Sequence, residues 1–280
     1  ILGGLASKLL NIRCIVASIS GLGILFTSKN LKIIIFRKIL IFFYRFIFYS
    51  SRNLIFIFQN KEDQNIIMKI TNLKKSQMRL IKGSGVDLAK FKMSPIPKGV
   101  PIVLFAARLL KSKGIMDFID AARIVKEARF VVAGKYDFEN RDAISPVVIE
   151  KAVKENLIEY WGFKKDIVKS IQESTIVTLP SYYGEGLPKI LIEAAACGRP
   201  VITTDHPGCR DAIKKEITGL LVPINSPILL SKAIKKIVNN SNIIKNMSEN
   251  ARTFALENFD IKYVVKTHLE IYQELLKKSF

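Results

Sequence analysis

The chain has few of the side chains that build metal centres and disulfide frameworks. Its 280 residues include two histidines, three cysteines and one tryptophan. Cys14, Cys197 and Cys209 lack the spacing of metal ligands, and their odd number argues against a disulfide framework. We therefore expect reduced thiols and exclude a histidine-rich metal site. No metal ion and no bound cofactor are expected in this protein.

The sequence also lacks an uninterrupted apolar run long enough to cross a bilayer, which takes about 20 residues. Its most apolar stretch, Leu31 to Phe58, is broken by five cations: Lys32, Arg37, Lys38, Arg45 and Arg52. Two interpretations stay open. The stretch contains either a helix of the domain core or a basic amphipathic helix that lies on anionic lipid.

Acidic residues are scarce relative to basic ones. The chain has 24 Asp and Glu against 44 Lys and Arg, a net charge of +20. This balance favours anionic partners such as phosphates or acidic lipids. Nucleic acid is not expected, because the cations are dispersed and no aromatic–basic recognition motif is present. The chain opens at Ile1 inside an apparent helix, without a signal peptide, so we expect a form truncated at its N-terminus.

A strand–loop–helix–strand unit is predicted in the second half of the chain. The apolar run Ile176 to Leu179 indicates a buried strand. Apolar residues at helical spacing then predict a helix from Leu187, with Pro188 in its first turn. Gly198 ends this helix, and Val201 to Thr203 form the next strand. Such a unit is typical of a parallel α/β sheet.

The loop before this helix has the properties of an anion site. A helix N-terminus offers unpaired N–H groups and a positive dipole end, and Gly186 allows a ligand close to the backbone. Phosphate groups suit such a site. Glu185 precedes the helix, and Glu193 lies roughly 10 Å further along its axis. Two carboxylates flanking a diphosphate match the hydroxyl groups of a nucleotide sugar.

The segment Gly184-Glu185-Gly186-Leu187-Pro188, the spacing of Glu185 and Glu193, and the following Gly198-Arg199-Pro200-Val201-Ile202 resemble the donor site of retaining glycosyltransferases of family 4. The resemblance implies that Glu185 contacts the donor sugar. It implies that the backbone of residues 184–188 holds the diphosphate and that Glu193 binds the ribose hydroxyls. The alternative for Glu193 is a solvated helix residue paired with Lys189.

Three further residues match the family pattern. Arg108 and Lys113 follow the predicted strand Ile102 to Ala106 and correspond to cations on the donor diphosphate. The alternative is two solvated surface cations. Phe163, in the Trp161-Gly162-Phe163 loop with Asp166, corresponds to the loop that reaches the nucleotide base. A tryptophan that lines the core is the alternative for Trp161.

The resemblance implies an α/β, GT-B-like fold with two Rossmann-like domains facing a cleft, the first of them incomplete. We assign residues 1–95 to a partial acceptor-side domain and residues 96–258 to a nucleotide-sugar-binding domain. Residues 259–280 are assigned to a helix that returns to the first domain. The proline-rich segment around Ser94 to Pro97 places the boundary.

The implied activity is transfer of a hexose or N-acetylhexosamine, with retention, from a nucleotide diphosphate sugar, with UDP as the expected nucleotide. The expected acceptor is lipid-linked or a polysaccharide, and the expected location is the cytoplasmic face of a bacterial plasma membrane. Many family members place a histidine of the first domain near the donor sugar, and this chain has none before His206. A non-catalytic nucleotide-sugar binder and an epimerase of the same fold therefore remain alternatives.

Overall fold

The structure is a computed structural model that describes residues 2–23, 26, 30–48, 53–71 and 73–278. Residue contacts divide the chain into two compact units. The first contains Ile1–Gly85, Gly184–Leu187 and Ile261–Phe280, and the second contains Val86–Tyr183 and Pro188–Asp260.

The first unit is a parallel three-stranded sheet with helices on both faces. The strand order is β1-β2-β3, and Ile15 lies opposite Leu54 while Phe56 lies opposite Met78. Its elements are α1 (Leu2–Leu9), β1 (Ile15–Ile19), α2 (Leu31–Phe48), β2 (Leu54–Phe58), α3 (Lys61–Ile70), β3 (Met78–Leu80) and α10 (Ile261–Lys277).

The central strand β2 is buried on both faces, which explains its continuous apolar sequence. Alternate residues of a strand point to opposite faces. Leu54, Phe56 and Phe58 join one core cluster, which also contains Ile47 of α2 and Ile67 of α3. On the other face, Ile55 and Ile57 pack with three residues of α10: Val264, Ile271 and Leu275. The C-terminal helix therefore belongs to the core of the first unit.

The helix α2 has two apolar faces. One face contacts the core through buried Ile47 and through half-buried Phe43 and Tyr44. The opposite face exposes the side chains that we call the outer stripe: Leu31, Ile35, Ile39, Phe42 and Phe46. The predicted stretch continued through Tyr49 and Arg52, which lie outside the described residues. Among the helices that the structure describes, none is long and apolar enough to cross a bilayer.

The second unit is a six-stranded parallel sheet with strand order β6-β5-β4-β7-β8-β9. Its strands are β4 (Ile102–Ala106), β5 (Arg129–Ala133), β6 (Glu159–Gly162), β7 (Ile176–Leu179), β8 (Val201–Thr204) and β9 (Gly219–Val222). Its helices are α4 (Ile115–Ile124), α5 (Pro146–Lys154), α6 (Val168–Glu173), α7 (Lys189–Ala196), α8 (Pro227–Val238) and α9 (Ser241–Asn258). The predicted strands Ile102 to Ala106 and Ile176 to Leu179 have the predicted bounds.

The two units meet in sequence at Gly85 and Val86, ten residues before the predicted boundary at residue 95. The difference has a physical cause, because the segment after Gly85 is hydrogen-bonded within the second unit. The Val86 N–H donates to the Phe259 carbonyl at 2.7 Å, and Arg199 donates to the Ser94 carbonyl at 2.8 Å. The prolines therefore lie inside the second unit.

Arg199 ties this segment to the core. Its side chain is fully buried, and burial lowers its pKa to about 10. The guanidinium donates to the carbonyls of Ser94, Pro95, Ile171 and Gln172 and to the hydroxyl of Ser94. A buried cation needs such partners, and the planar fork of arginine reaches several acceptors at once.

We expect Arg199→Lys to lower the free energy of unfolding by about 3 kcal/mol, because a lysine leaves several buried carbonyls without donors. Urea unfolding measures the change. The matched control is Arg129→Lys, since Arg129 is an exposed partner of Glu159. Equal losses in the two variants would contradict a structural role for the buried guanidinium.

Candidate functional site

The sheet of the second unit reverses its strand order next to β4. After β4 the chain builds β5 and β6 on one side of that strand, and then returns to place β7, β8 and β9 on the other. In open parallel sheets, ligands bind outside the carboxyl ends of the strands at such a switch point. The residues that follow β4 and β7 are therefore the first candidates for a binding site.

The turn that carries Lys113 is held against the segment that follows β7. The Tyr182 N–H donates to the Ser112 carbonyl at 2.9 Å, and the Ser181 hydroxyl donates to the same oxygen at 3.1 Å. Gly114 has φ of +80°, and a Cβ there would lie 2.1 Å from the Pro180 carbonyl oxygen. Only glycine allows this approach. Lys113 Nζ consequently lies 5.2 Å from the centroid of the Tyr183 ring.

Arg108 lies two residues after β4, as predicted, and is half-exposed. Its Nη1 is 2.8 Å from Oδ2 of Asp137, a residue that follows the neighbouring strand β5. Asp137 was not anticipated from the sequence. A guanidinium carries five N–H donors, so one bond to Asp137 leaves donors for a second anion and fixes the side chain at the edge of the sheet.

Glu193 is a buried carboxyl group near the middle of α7. Its residue is 8% exposed, which contradicts the solvated alternative, although Lys189 Nζ does lie 3.8 Å from its Oε1. Burial raises the pKa of Glu193 to about 7. Lys189 and Lys90 oppose this shift, and Asp166 adds to it. A buried carboxylate of this kind is a strong acceptor for hydroxyl groups.

The loop after β6 is a neighbour of Glu193. Asp166 is close enough to influence the pKa of Glu193 and pairs with Lys90 at 3.3 Å. Phe163 is 64% exposed, with Lys135 Nζ 5.8 Å from its ring centroid. Trp161 is only half-buried and donates to Glu159, so it does not line the core. An exposed aromatic ring beside cations suits a planar base.

The glycine loop Gly184–Leu187 belongs to the first unit. The Leu187 N–H donates to Gln59 Oε1 at 3.1 Å, and Asn60 Nδ2 donates to the Gly186 carbonyl at 3.3 Å. A Cβ at Gly186 would lie 2.2 Å from Gln59 Oε1 and 2.3 Å from the Ser20 carbonyl oxygen. Gly186 thus permits a close contact within the protein. The Leu187 amide reaches a phosphate only by giving up its bond to Gln59.

The helix after this loop begins later than predicted. Pro188 has extended backbone angles at the N-cap position, and α7 starts at Lys189. Leu187 therefore lies before the helix, because the extended backbone of Pro188 separates it from the first helical turn. Gln59 and Asn60 were missed from the sequence. The sequence carried one local signal for Asn60, because asparagine is a common N-cap. Asn60 does cap α3 by accepting from the Asp63 N–H.

Among the described residues, no group of three or more His, Cys, Asp or Glu side chains is placed to hold a metal ion. The switch point of the second unit instead carries two cations, Arg108 and Lys113, with Asp137 paired to Arg108. Fold and site together define a parallel α/β protein suited to an anionic, nucleotide-like ligand.

Comparison with known proteins assigns the family. The sequence model described as "Glycosyl transferases group 1" matches residues 87–254, and the chain therefore belongs to this family. An α-1,3-N-acetylgalactosaminyltransferase of Campylobacter jejuni, named for N,N'-diacetylbacillosaminyl-diphospho-undecaprenol, is 29% identical over 98% of this chain and 74% of its own length. The Escherichia coli UDP-Gal:α-D-GlcNAc-diphosphoundecaprenol α-1,3-galactosyltransferase is 23% identical over 99% of this chain and 73% of its own.

A solved structure confirms the GT-B-like fold. Anabaena Alr3699/HepE, crystallised in complex with UDP, superposes with a TM-score of 0.82 at 19% identity, covering 98% of this chain and 75% of that one. The predicted α/β class and the two parallel, Rossmann-like sheets are thus confirmed.

The raised pKa of Glu193 predicts how the free energy of unfolding depends on pH. The folded protein keeps this proton up to about pH 7, whereas the ordinary value is 4.5. Glu193 therefore costs nothing below the lower value and destabilises the fold increasingly as the pH rises to the higher one. We expect the stability of Glu193→Gln relative to wild type to grow by on the order of 3 kcal/mol between about pH 4.5 and pH 8.

Urea unfolding across this pH range measures the effect, with the exposed Glu249→Gln as the control. A difference between Glu193→Gln and wild type that stays constant with pH would show that the carboxyl group is not buried as described.

Proposed function

We propose that this protein transfers a hexose or N-acetylhexosamine from a UDP-linked donor to a lipid-linked acceptor, with retention of the anomeric configuration. Its membership of the group 1 glycosyl transferases supports transfer. The diphosphoundecaprenol-linked substrates in the names of two relatives support the acceptor, and UDP in a structural neighbour supports the donor. The α-linkage in both names is the product that retention gives from an α-linked donor.

The observation that carries this proposal is the pair of cations at the switch point. When the bond between the anomeric carbon and the diphosphate oxygen breaks, negative charge grows on the departing diphosphate. Arg108 and Lys113 stabilise that charge, and the contacts to Asp137 and Tyr183 hold them in place beforehand. The acceptor oxygen bonds to the same carbon, and its proton passes to the diphosphate.

The remaining predicted residues bind the rest of the donor. Glu193 accepts hydrogen bonds from the ribose hydroxyls, and its burial strengthens them. Phe163 stacks on the base, and Glu185 contacts the sugar. The backbone of Gly184, Gly186, Leu187 and Pro188 is the proposed contact for the diphosphate, and this contact requires the Leu187 N–H to leave Gln59. No metal is required in this scheme, because the two cations neutralise the leaving group.

We place this reaction on the cytoplasmic face of a bacterial plasma membrane, where a nucleotide sugar and a lipid-linked acceptor meet. The lipid-linked acceptors in the names of the relatives support this location. Surface polysaccharide or glycan assembly is the process that consumes such a product.

We expect Lys113→Gln to lower kcat by about 100-fold, because a preorganised charge on the leaving group is lost. The matched control is Lys111→Gln, an exposed lysine in the same turn, which should change kcat by less than about twofold. The assay follows radiolabelled sugar from UDP-sugars into a polyprenyl-diphosphate acceptor.

Three outcomes decide the proposal. Transfer by wild type that depends on Lys113 but not on Lys111 supports it. UDP binding without transfer indicates a nucleotide-sugar binder, and a changed sugar without an acceptor indicates an epimerase. Either of these last results would overturn the transferase assignment.

A further inference from the structure

The outer stripe of α2 is an apolar face that stays largely exposed among the described residues. Lys8 of α1 contacts its end, with Nζ 4.1 Å from the centroid of the Phe46 ring. Leu31, Ile35, Ile39, Phe42 and Phe46 follow one another at intervals of three or four residues, so they share one side of the helix. Their side chains are 48–71% exposed. Exposed apolar residues are common singly, but a row of five large ones marks an interaction surface.

The opposite face of α2 holds the helix in place. Ile47 is 1% exposed, and Phe43 and Tyr44 pack against the same core cluster. Rotating the helix to bury the stripe would expose these residues instead. Within the part of the chain that the structure describes, the stripe is therefore a fixed exposed face of α2.

Cations border the stripe on both sides. At 100° per residue, Lys32 lies beside one edge, while Lys38 and Arg45 lie beside the other, and all three are exposed. Arg45 Nε donates to the Ile70 carbonyl at 2.8 Å, which holds its side chain at this edge. The helix contains no acidic residue.

The charge of the surrounding sequence has the same sign. Residues 1–61 contain nine of the 44 basic residues of the chain and none of its 24 acidic residues. A second copy of this surface is a poor partner, because pairing would bring like charges together. An apolar stripe bordered by cations instead complements a layer with an apolar interior and an anionic surface.

We propose that the outer stripe of α2 docks on an anionic lipid bilayer. The helix, about 27 Å long, lies in the plane of the membrane. Its stripe enters the boundary between headgroups and acyl chains, while Lys32, Lys38 and Arg45 contact lipid phosphates. The surface thus deepens the proposed function by naming how the protein reaches a lipid-linked acceptor.

The test is sedimentation of the protein with vesicles, without donor or acceptor. Vesicles of phosphatidylglycerol and phosphatidylethanolamine are compared with vesicles of phosphatidylcholine alone. We expect binding to the anionic vesicles and at least about tenfold weaker binding after Ile39→Asp with Phe42→Asp. Because these side chains are exposed, urea unfolding should show that the variant remains folded.

Matched variants separate the stripe from general effects. The apolar control is Ile228→Asp with Leu256→Asp, two comparably exposed residues of the second unit, and it should bind like wild type. Lys32→Gln with Lys38→Gln should weaken binding by on the order of 25-fold, about fivefold per cation. The charge control is Lys154→Gln with Lys232→Gln, also exposed in the second unit.

Equal vesicle binding by the stripe variant and wild type would overturn the proposal. The proposal would also be overturned if the wild-type protein dimerised with increasing concentration, failed to bind vesicles, and lost its dimerisation in the stripe variant. The stripe would then bind a second copy of the chain. Vesicle binding is measured without catalysis. If the protein does not bind vesicles, sugar transfer to a water-soluble acceptor still tests the proposed function separately.

Discussion

The site of the second unit depends on one backbone contact. The turn of residues 111–114 packs on the segment after β7 through Gly114 and Pro180, and two hydrogen bonds to the Ser112 carbonyl fasten it. Because β4 and β7 are adjacent parallel strands, their carboxyl ends meet at one edge. This contact places Lys113 beside the end of β7, and the edge of the sheet thereby becomes a candidate anion-binding site.

The charged residues proposed for the ligand lie in two regions with different electrostatic character. Near the switch point, Arg108 and Lys113 each have a close neighbour in Asp137 or Tyr183, so their positions are set before an anion arrives. On α7, Glu193 is buried near Lys189, Lys90 and Asp166. Cations suit the phosphates, and a buried carboxyl group suits hydroxyls. Both sets of groups therefore suit the nucleotide-sugar ligand that we propose.

Sequence patterns predicted the sheet of the second unit well, because its central strands β4, β7 and β8 are buried on both faces. The strands β4 and β7 are short, mainly apolar runs, and Pro101 before β4 and Pro180 after β7 made one end of each clear. Arg108 and Lys113 were assigned from the family resemblance together with their position just after β4. The predicted start of α7 was wrong by two residues, because Pro188 takes extended backbone angles at the N-cap instead of joining the first turn.

Long-range contacts also explain the other differences. The prolines near residue 95 indicated a domain boundary. The hydrogen bonds of Val86 and Arg199 instead place the segment after Gly85 in the second unit. Glutamate is usually exposed, and nothing local indicated that Glu193 is buried. A crystal structure with UDP tests the site most directly. We predict the diphosphate at the carboxyl ends of β4 and β7, with Arg108 and Lys113 on its oxygens and Glu193 on the ribose. A UDP molecule bound away from these residues would contradict this assignment.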